Sequence, residues 1–312
     1  SPQQSNGTSS GATTAAIISL EAFAGVWINA FIVCVLCIGW VRKKTLNSNE
    51  KILLLLGFSR FCYLCSSWIY GFLSNIYPYC LLVHPILQIL EGAYSFFNCS
   101  SLCVSACLCV FYCIKIANFR NTFFISLKVK IDRMVPWLLF GSVVFPLIVG
   151  ILASNTIDKA LCKNLNFTCQ QRLWKATIRL EKHFFPLFFV TGVLYTTSFM
   201  AVLFSAVFLL FSLWRHKRNM QTNSMNSPSM EAHIRAMKSV LSFFIMYSIN
   251  FMSLIMELIY AMDHQNIVIF VVNLIQHAFP GVHSLILIFS NPKLEKTLLR
   301  IPSWVKYKVC MR

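Results

Sequence analysis

Polar and aromatic side chains recur at helical spacing inside three apolar runs of this sequence. Tyr94 and Asn98 stand four residues apart, with Ser101 one turn on. A second run carries Tyr247, Asn250, Phe251, Leu254 and Glu257, and a third carries Asn273, Gln276 and His277 ahead of Pro280. Offsets of three and four place side chains on one face of a helix. The chemistry open to such faces is recognition. Aromatics with scattered amides and few charges suit a small, mostly apolar ligand. Hydrogen bonding between helices is the competing use of each polar residue. Catalysis finds no footing: no two carboxylates share a run, and HExxH, GxSxG and a Gly-rich phosphate loop are all absent from the sequence. The last run has no mid-span Lys, which excludes a retinal Schiff base.

Other candidates read as structural. Thirteen cysteines include Cys99, Cys103 and Cys107 on one face and Cys109 and Cys113 on a second. No His or carboxylate accompanies them at ligand spacing, so no metal site is expected and close helix packing is the reading. Cys80, Cys162 and Cys169 fall in segments expected outside, where one disulfide among three possible pairings is open. Cys310 in the tail is a candidate for palmitoylation. Arg60 lies within an apolar run and cannot lose its proton, so it needs partners. A polar core of Asn29, Arg60, His283 and Ser284 is expected to clamp helices together.

These residues must be positioned by membrane helices. The 312 residues are 57% apolar and 12% charged, with a mean hydropathy of +0.66. Soluble domains carry about 25% charge, so a polar shell cannot be assembled from this composition. A span needs about 20 apolar residues. Seven segments qualify, at 15–41, 52–73, 86–114, 134–153, 184–214, 239–261 and 267–289. Tyr77-Pro78 and His84-Pro85 punctuate a short loop between the second and third. The expected fold is an all-α seven-transmembrane bundle over 15–289, preceded by an extracellular segment 1–14 and followed by a cytoplasmic tail 290–312. The first fourteen residues carry no basic n-region, so the first span is expected to act as an uncleaved signal anchor. Leu294, Leu298 and Ile301 between basic residues predict a short amphipathic helix after the seventh span.

The net charge of +17 is read by position. Twenty of the 27 basic residues fall in the first, third and fifth connections and the tail. Six fall in the 154–183 connection, and the last is Arg60. The positive-inside rule then puts the N-terminus outside and the tail in the cytosol. The sequons at Asn6 and Asn166 both fall outside and are candidate glycosylation sites. That at Asn98 lies within a span and is set aside. With no domain outside the bilayer, a nucleic-acid role is set aside too. Membrane lipid is the expected surrounding, at the plasma membrane, and no cofactor is expected.

Seven spans with the N-terminus outside suggest a G protein-coupled receptor. The DRY and NPxxY signatures are absent. The sequence instead resembles the type 2, bitter taste receptors along almost its whole length. The resemblance is carried by LLLLGFSR (Leu53–Arg60), FYCIKIANF (Phe111–Phe119), LLFSLWRH (Leu209–His216), PSMEAHIRAMKS (Pro228–Ser239) and HSLILIFSNPKL (His283–Leu294). It implies a receptor for small bitter compounds, coupled to a heterotrimeric G protein of the gustducin type, with a pocket in the outer half between the third, fifth, sixth and seventh spans. It places Tyr94 where relatives often have a ligand-stacking tryptophan, Asn98 at a common pocket asparagine, Asn273 at an agonist contact and Tyr247 at an activation-linked aromatic. Asn166 matches the family's outer-loop glycosylation site. Cys103 replaces a frequent tryptophan, and Ser198 stands where many members have proline. The ligand face is expected to include Tyr94, Asn98, Ser101, Tyr247, Phe251, Leu254, Glu257, Asn273, Gln276 and His277. The G protein is expected to meet Tyr112, Lys115, His216, Lys217, Arg235 and Lys238. The alternatives are another seven-span chemosensory receptor, such as a vomeronasal-type pheromone receptor, and, from a different class, a transporter or channel. The motifs weigh against the first, and the lack of a polar stripe continuous through one span weighs against the second.

Overall fold

The computed structural model describes residues 3–83, 85–117, 122–165, 185–220, 228–260 and 266–300, with side chains described between 16 and 158, 186 and 215, 240 and 256, and 270 and 300 apart from a few positions. Seven long helices follow one another: α1 (Gln3–Lys43), α2 (Ser48–Ile76), α3 (Ile86–Ile116), α4 (Thr122–Leu165), α5 (Phe185–Met220), α6 (Pro228–Tyr260) and α7 (Asn266–Ser290). Residues 292–300 are also helical. Six of these helices contain stretches long and apolar enough to cross a membrane. The described apolar part of α6 is the shorter Val240–Met256.

Hydropathy marks the part of a helix that sits in lipid, and backbone hydrogen bonding carries the helix beyond it. The fourth span, expected at 134–153, lies inside an α4 of 44 residues, about 66 Å at 1.5 Å per residue. That is roughly twice the hydrocarbon thickness, so the basic stretch 128–133 is a helical extension of the span. The punctuated connection after α2 is a 3-10 turn, Pro78–Leu82. At the other end of α2, Asn47 precedes the first turn and the Glu50 carboxylate reaches back to its amide at 3.2 Å, half of a capping box. α1 ends at Lys43, and Lys44 takes a left-handed conformation with φ 55, the backbone state that commonly stops a helix.

α3 is the central helix. It packs on α2, α4 and α5, while α7 packs on α1 and α6. The apolar window of α3 is 67% buried, against 28% for those of α1, α4 and α5. The remaining faces of α1, α4 and α5 present Trp27, Trp137, Phe204 and Trp214 outward, as a lipid-facing surface does. α3 approaches α4 closely because both are glycine at the crossing. A Cβ on Gly150 would stand 2.8 Å from the Gly92 carbonyl oxygen, and one on Gly92 would stand 3.1 Å from that of Gly150.

Two apolar clusters matter for the site. One joins Leu36, Ile52, Leu53, Phe111, Ile131, Ile288 and Leu294, which brings the ends of α1, α3 and α7 to the starts of α2 and α4. The other joins Leu102, Val202, Phe243, Tyr247, Leu254 and Phe279, so it ties α3, α5, α6 and α7 together.

Candidate functional site

The polar core forms around Arg60, which is fully buried. Its guanidinium fork reaches across α3 and α7. Nη1 donates to Ser284 Oγ at 2.9 Å, Nη2 to Ser105 Oγ at 3.0 Å and Nε to Ser101 Oγ at 3.4 Å. Nη2 also meets His283 Nδ1. An arginine cannot give up its proton, so Nδ1 must be the accepting nitrogen and the ring is the Nε2–H tautomer. Asn29 joins through Ser284, whose hydroxyl donates to Asn29 Oδ1 at 2.8 Å. The Asn29 amide donates in turn to the Gly25 carbonyl. The structure thus brings Asn29, Arg60, His283 and Ser284 into one cluster. It adds Ser105, which sequence reading missed. The signal was available: Ser101 and Ser105 are four apart on α3 and share a face.

Ser101 was expected on the ligand face. The structure gives it to Arg60 instead, and it is buried. The residue is three positions beyond Asn98, and that step turns it toward α2. Tyr94 likewise meets α2, with its ring 5.2 Å from that of Tyr63. His277 is shared between Ser67 Oγ at 2.5 Å and the carbonyl of Asn273 at 2.7 Å, so it links α7 to α2.

Of the other expected ligand residues, Asn98, Tyr247, Phe251 and Leu254 gather where α3, α5, α6 and α7 meet. Asn98 donates from Nδ2 to the Tyr195 hydroxyl at 3.1 Å. Phe251 stacks on Phe199, with centroids 4.4 Å apart and ring planes within 7°. Tyr247 lies beside the same ring at 6.4 Å and meets Phe279 edge to face at 6.2 Å. Leu254 belongs to this cluster. Asn273 is partly buried, and Gln276 is buried. Tyr195 and Phe199 complete the arrangement and were not anticipated. Both sit in α5, where Thr191, Tyr195 and Ser198 recur at helical spacing, a polar period that was available for Tyr195 but not for Phe199. Chemically, this is an aromatic surface with one amide–phenol pair. It can stack on a ring and offer one or two hydrogen bonds.

A separate cleft of about 510 Å³ lies between α6 and α7, lined by Ile249, Met252, Val271 and Ile275 among others. It includes none of the expected ligand residues. Met252 and Ile249 are exposed there, so it opens away from the helix junction.

The cysteine stripes of α3 pack. Cys99, Cys109 and Cys113 are buried, and Cys107 Sγ lies 3.3 Å from Ser142 Oγ on α4. Cys103 is 3.9 Å from the Ser198 hydroxyl of α5. Ser198, where proline was the expected family residue, sits within an unbroken α5. Toward the cytoplasmic end, Tyr112 packs beside the Ala206, Leu209 and Val240 cluster between α5 and α6. Lys115 Nζ is 2.6 Å from Asp132 Oδ2 on α4 and 5.8 Å from the centre of the Phe111 ring. The side chains of Glu257, His216, Lys217, Arg235 and Lys238 lie outside the described residues, as do those of Asn6, Asn166, Cys162, Cys169 and Cys310.

Comparison with known proteins gives the arrangement its place. The fold matches the crystal structure of squid rhodopsin with a TM-score of 0.63 over 95% of this chain and 86% of that one, at 11% identity. At that identity the likeness concerns the fold alone, a bundle of seven helices. Among curated proteins, taste receptor type 2 member 7 of Macaca mulatta is 33% identical over 301 residues, covering 93% of this chain and 92% of the relative. Taste receptor type 2 member 9 of Homo sapiens is 32% identical over 297 residues, covering 93% of each. The family model described as taste receptor protein (TAS2R) matches residues 9–306. This chain is a multi-pass plasma-membrane protein and belongs to the TAS2R taste receptor family.

Proposed function

We propose that the chain is a bitter taste receptor. It takes small, mostly apolar compounds at the junction of α3, α5, α6 and α7 and activates a heterotrimeric G protein of the gustducin type. The observation that carries the reading is the pairing of Asn98 with Tyr195 beside the Phe199–Phe251 stack. The amide, the phenol and the stacked rings together match a ligand that is chiefly a ring with one or two polar atoms. Asn273, Gln276 and Leu254 are the further contacts from α7 and α6.

A ligand shifts a conformational equilibrium only by its differential affinity for the two states. Two contacts here are suited to that. Phe199 and Phe251 belong to different helices, and so do Asn98 and Tyr195. A compound that inserts between either pair favours a different spacing of α5 from α3 or α6. Tyr247 lies in the same aromatic cluster, and Phe243 links it at 5.5 Å to His283 at 4.2 Å. The rings thus form one packed path from the junction to the Arg60 cluster. Tyr112 and Lys115 lie further toward the cytosol on α3, where the G protein would be met.

The test is a calcium assay in cells carrying the full chain, with and without a gustducin-type α subunit, challenged with a panel of bitter alkaloids and synthetic bitterants that includes quinine and denatonium. A response from at least one compound that requires the α subunit is the expected result. A response that persists without any G protein would point to a channel and overturn the reading.

A further inference from the structure

The connection between α1 and α2 and the helix that follows α7 meet at three residues. Glu50, in the first turn of α2, is 15% exposed and uses both carboxylate oxygens. Oε2 accepts the Asn47 amide at 3.2 Å, and Oε1 accepts Lys293 Nζ at 2.5 Å. Lys293 reaches it by passing over α1 at Gly39. A Cβ built on Gly39 would stand 2.8 Å from Lys293 Nζ and 3.5 Å from its Cε.

The position of Lys293 is unusual for its charge. Residues 292–300 are helical, and Asn291 Oδ1 accepts the amides of Lys293 at 3.0 Å and Leu294 at 3.5 Å, as a helix-capping side chain does. Lys293 is therefore in the first turn, where the helix dipole disfavours a cation. Glu50 supplies the negative charge that the helix start lacks. The neighbouring Leu294 is fully buried in the same cluster as Leu36 and Leu53, and Leu298 packs against that cluster one turn on, so the ionic contact of Lys293 stands beside the apolar anchor of the tail helix.

We propose that Glu50 and Lys293, with Gly39 as the passage between them, form a clasp that positions the tail helix against the α1–α2 connection. These are positioning residues. On the receptor reading above, the clasp would fix one edge of the surface offered to the G protein. The clasp itself does not depend on that reading. Alanine is a better helix former than glycine. At a merely structural position in α1, Gly39→Ala would therefore tighten the molecule. Here the added methyl displaces Lys293 Nζ from Glu50, and the clasp opens.

The experiment is hydrogen–deuterium exchange on the purified full chain, which needs no agonist. It compares wild type with Glu50→Gln, Lys293→Gln, Gly39→Ala and the exchange pair Glu50→Lys with Lys293→Glu. Each of the first three variants is expected to speed exchange of the 293–300 amides by roughly fivefold or more, with α3 and α5 unchanged, since local openings are separate from global ones. The exchange pair is expected to return these amides toward the wild-type rate, although its side chain at position 50 no longer accepts the Asn47 amide. Unchanged exchange at 293–300 in the single variants would overturn the proposal. So would an exchange pair no slower than its faster single variant, or a rise spread equally over α3 and α5. If the calcium assay fails while this pattern holds, the receptor reading is at fault and the clasp stands.

Discussion

Arg60 of α2 donates to the Ser284 hydroxyl of α7 at 2.9 Å, and that hydroxyl in turn donates to Asn29 Oδ1 of α1 at 2.8 Å. One small side chain thus serves as acceptor for a buried cation and donor to a buried amide. Ser284→Ala leaves an Arg60 N–H and the Asn29 carbonyl without that partner. Each orphaned buried group costs about 1–3 kcal/mol. The expected loss is therefore ~2–6 kcal/mol, visible as a lower melting temperature of the receptor in detergent. Ser290→Ala is the comparison. Among the described residues that hydroxyl bonds only the Ile286 carbonyl of its own helix, and its removal should leave the melt close to wild type. Equal melts for the two variants would mean that Ser284 is not the junction described.

Asn98→Ala is expected to weaken agonist potency by roughly tenfold, the equivalent of about 1.4 kcal/mol. Tyr195→Phe should do so in the same direction, since it removes the hydroxyl to which Asn98 donates. Asn273→Ala, from the partly buried face of α7, should act independently of both. The measurement is the concentration–response curve at matched surface expression. If Asn98→Ala and Asn273→Ala both leave potency unchanged, the ligand does not bind at this junction.

What the sequence shows and what it hides can be traced to particular residues. The seven helices and the need of Arg60 for partners follow from hydropathy and the cost of a buried charge. The choice of partners does not. Ser101 and Asn98 are three residues apart, yet one turns to α2 and the other to α5. That difference is a few tens of degrees of helix rotation, set by neighbours that periodicity does not name. Phe199 was hidden for another reason. Among the apolar positions of a membrane helix, a ring that lines a junction and a ring that faces lipid have the same sequence signature. Gly39 and Gly150 were equally silent, because a missing Cβ becomes informative only when the atom that would collide with it is known.

Gly150 separates two effects that glycine usually mixes. Gly150→Ala adds a methyl whose nearest neighbour is backbone, the Gly92 carbonyl oxygen at 2.8 Å, with Phe96 Cβ at 3.0 Å. Backbone cannot step aside as a side-chain tip can, so α3 and α4 must part. Overpacking of this kind costs about 1–3 kcal/mol. Gly141→Ala, in the same helix α4, meets nothing within 4 Å. There only the better helix propensity of alanine remains, about 1 kcal/mol in favour of folding. The melting temperatures are expected to move in opposite directions. A fall at both positions would show that the close approach of α3 to α4 is not what Gly150 is for.

Lys115 and Asp132 form the shortest ion pair at the foot of α3 among the described residues, at 2.6 Å, with exposures of 35% and 51%. Exposed pairs contribute less than about 1 kcal/mol, so Asp132→Asn should leave the melt nearly unchanged. Its consequence lies elsewhere. The substitution leaves Lys115 charged, beside the Phe111 ring, and available to a partner. Lys115→Met removes the charge altogether. If Lys115 contacts the G protein, Lys115→Met should lower agonist-evoked G protein activation by roughly tenfold at matched expression. Lys115→Arg should retain most of the activation, and Asp132→Asn should not reduce it. Losses of equal size in Lys115→Met and Asp132→Asn would assign the effect to the bridge between α3 and α4. The lysine would then have no contact of its own with the partner.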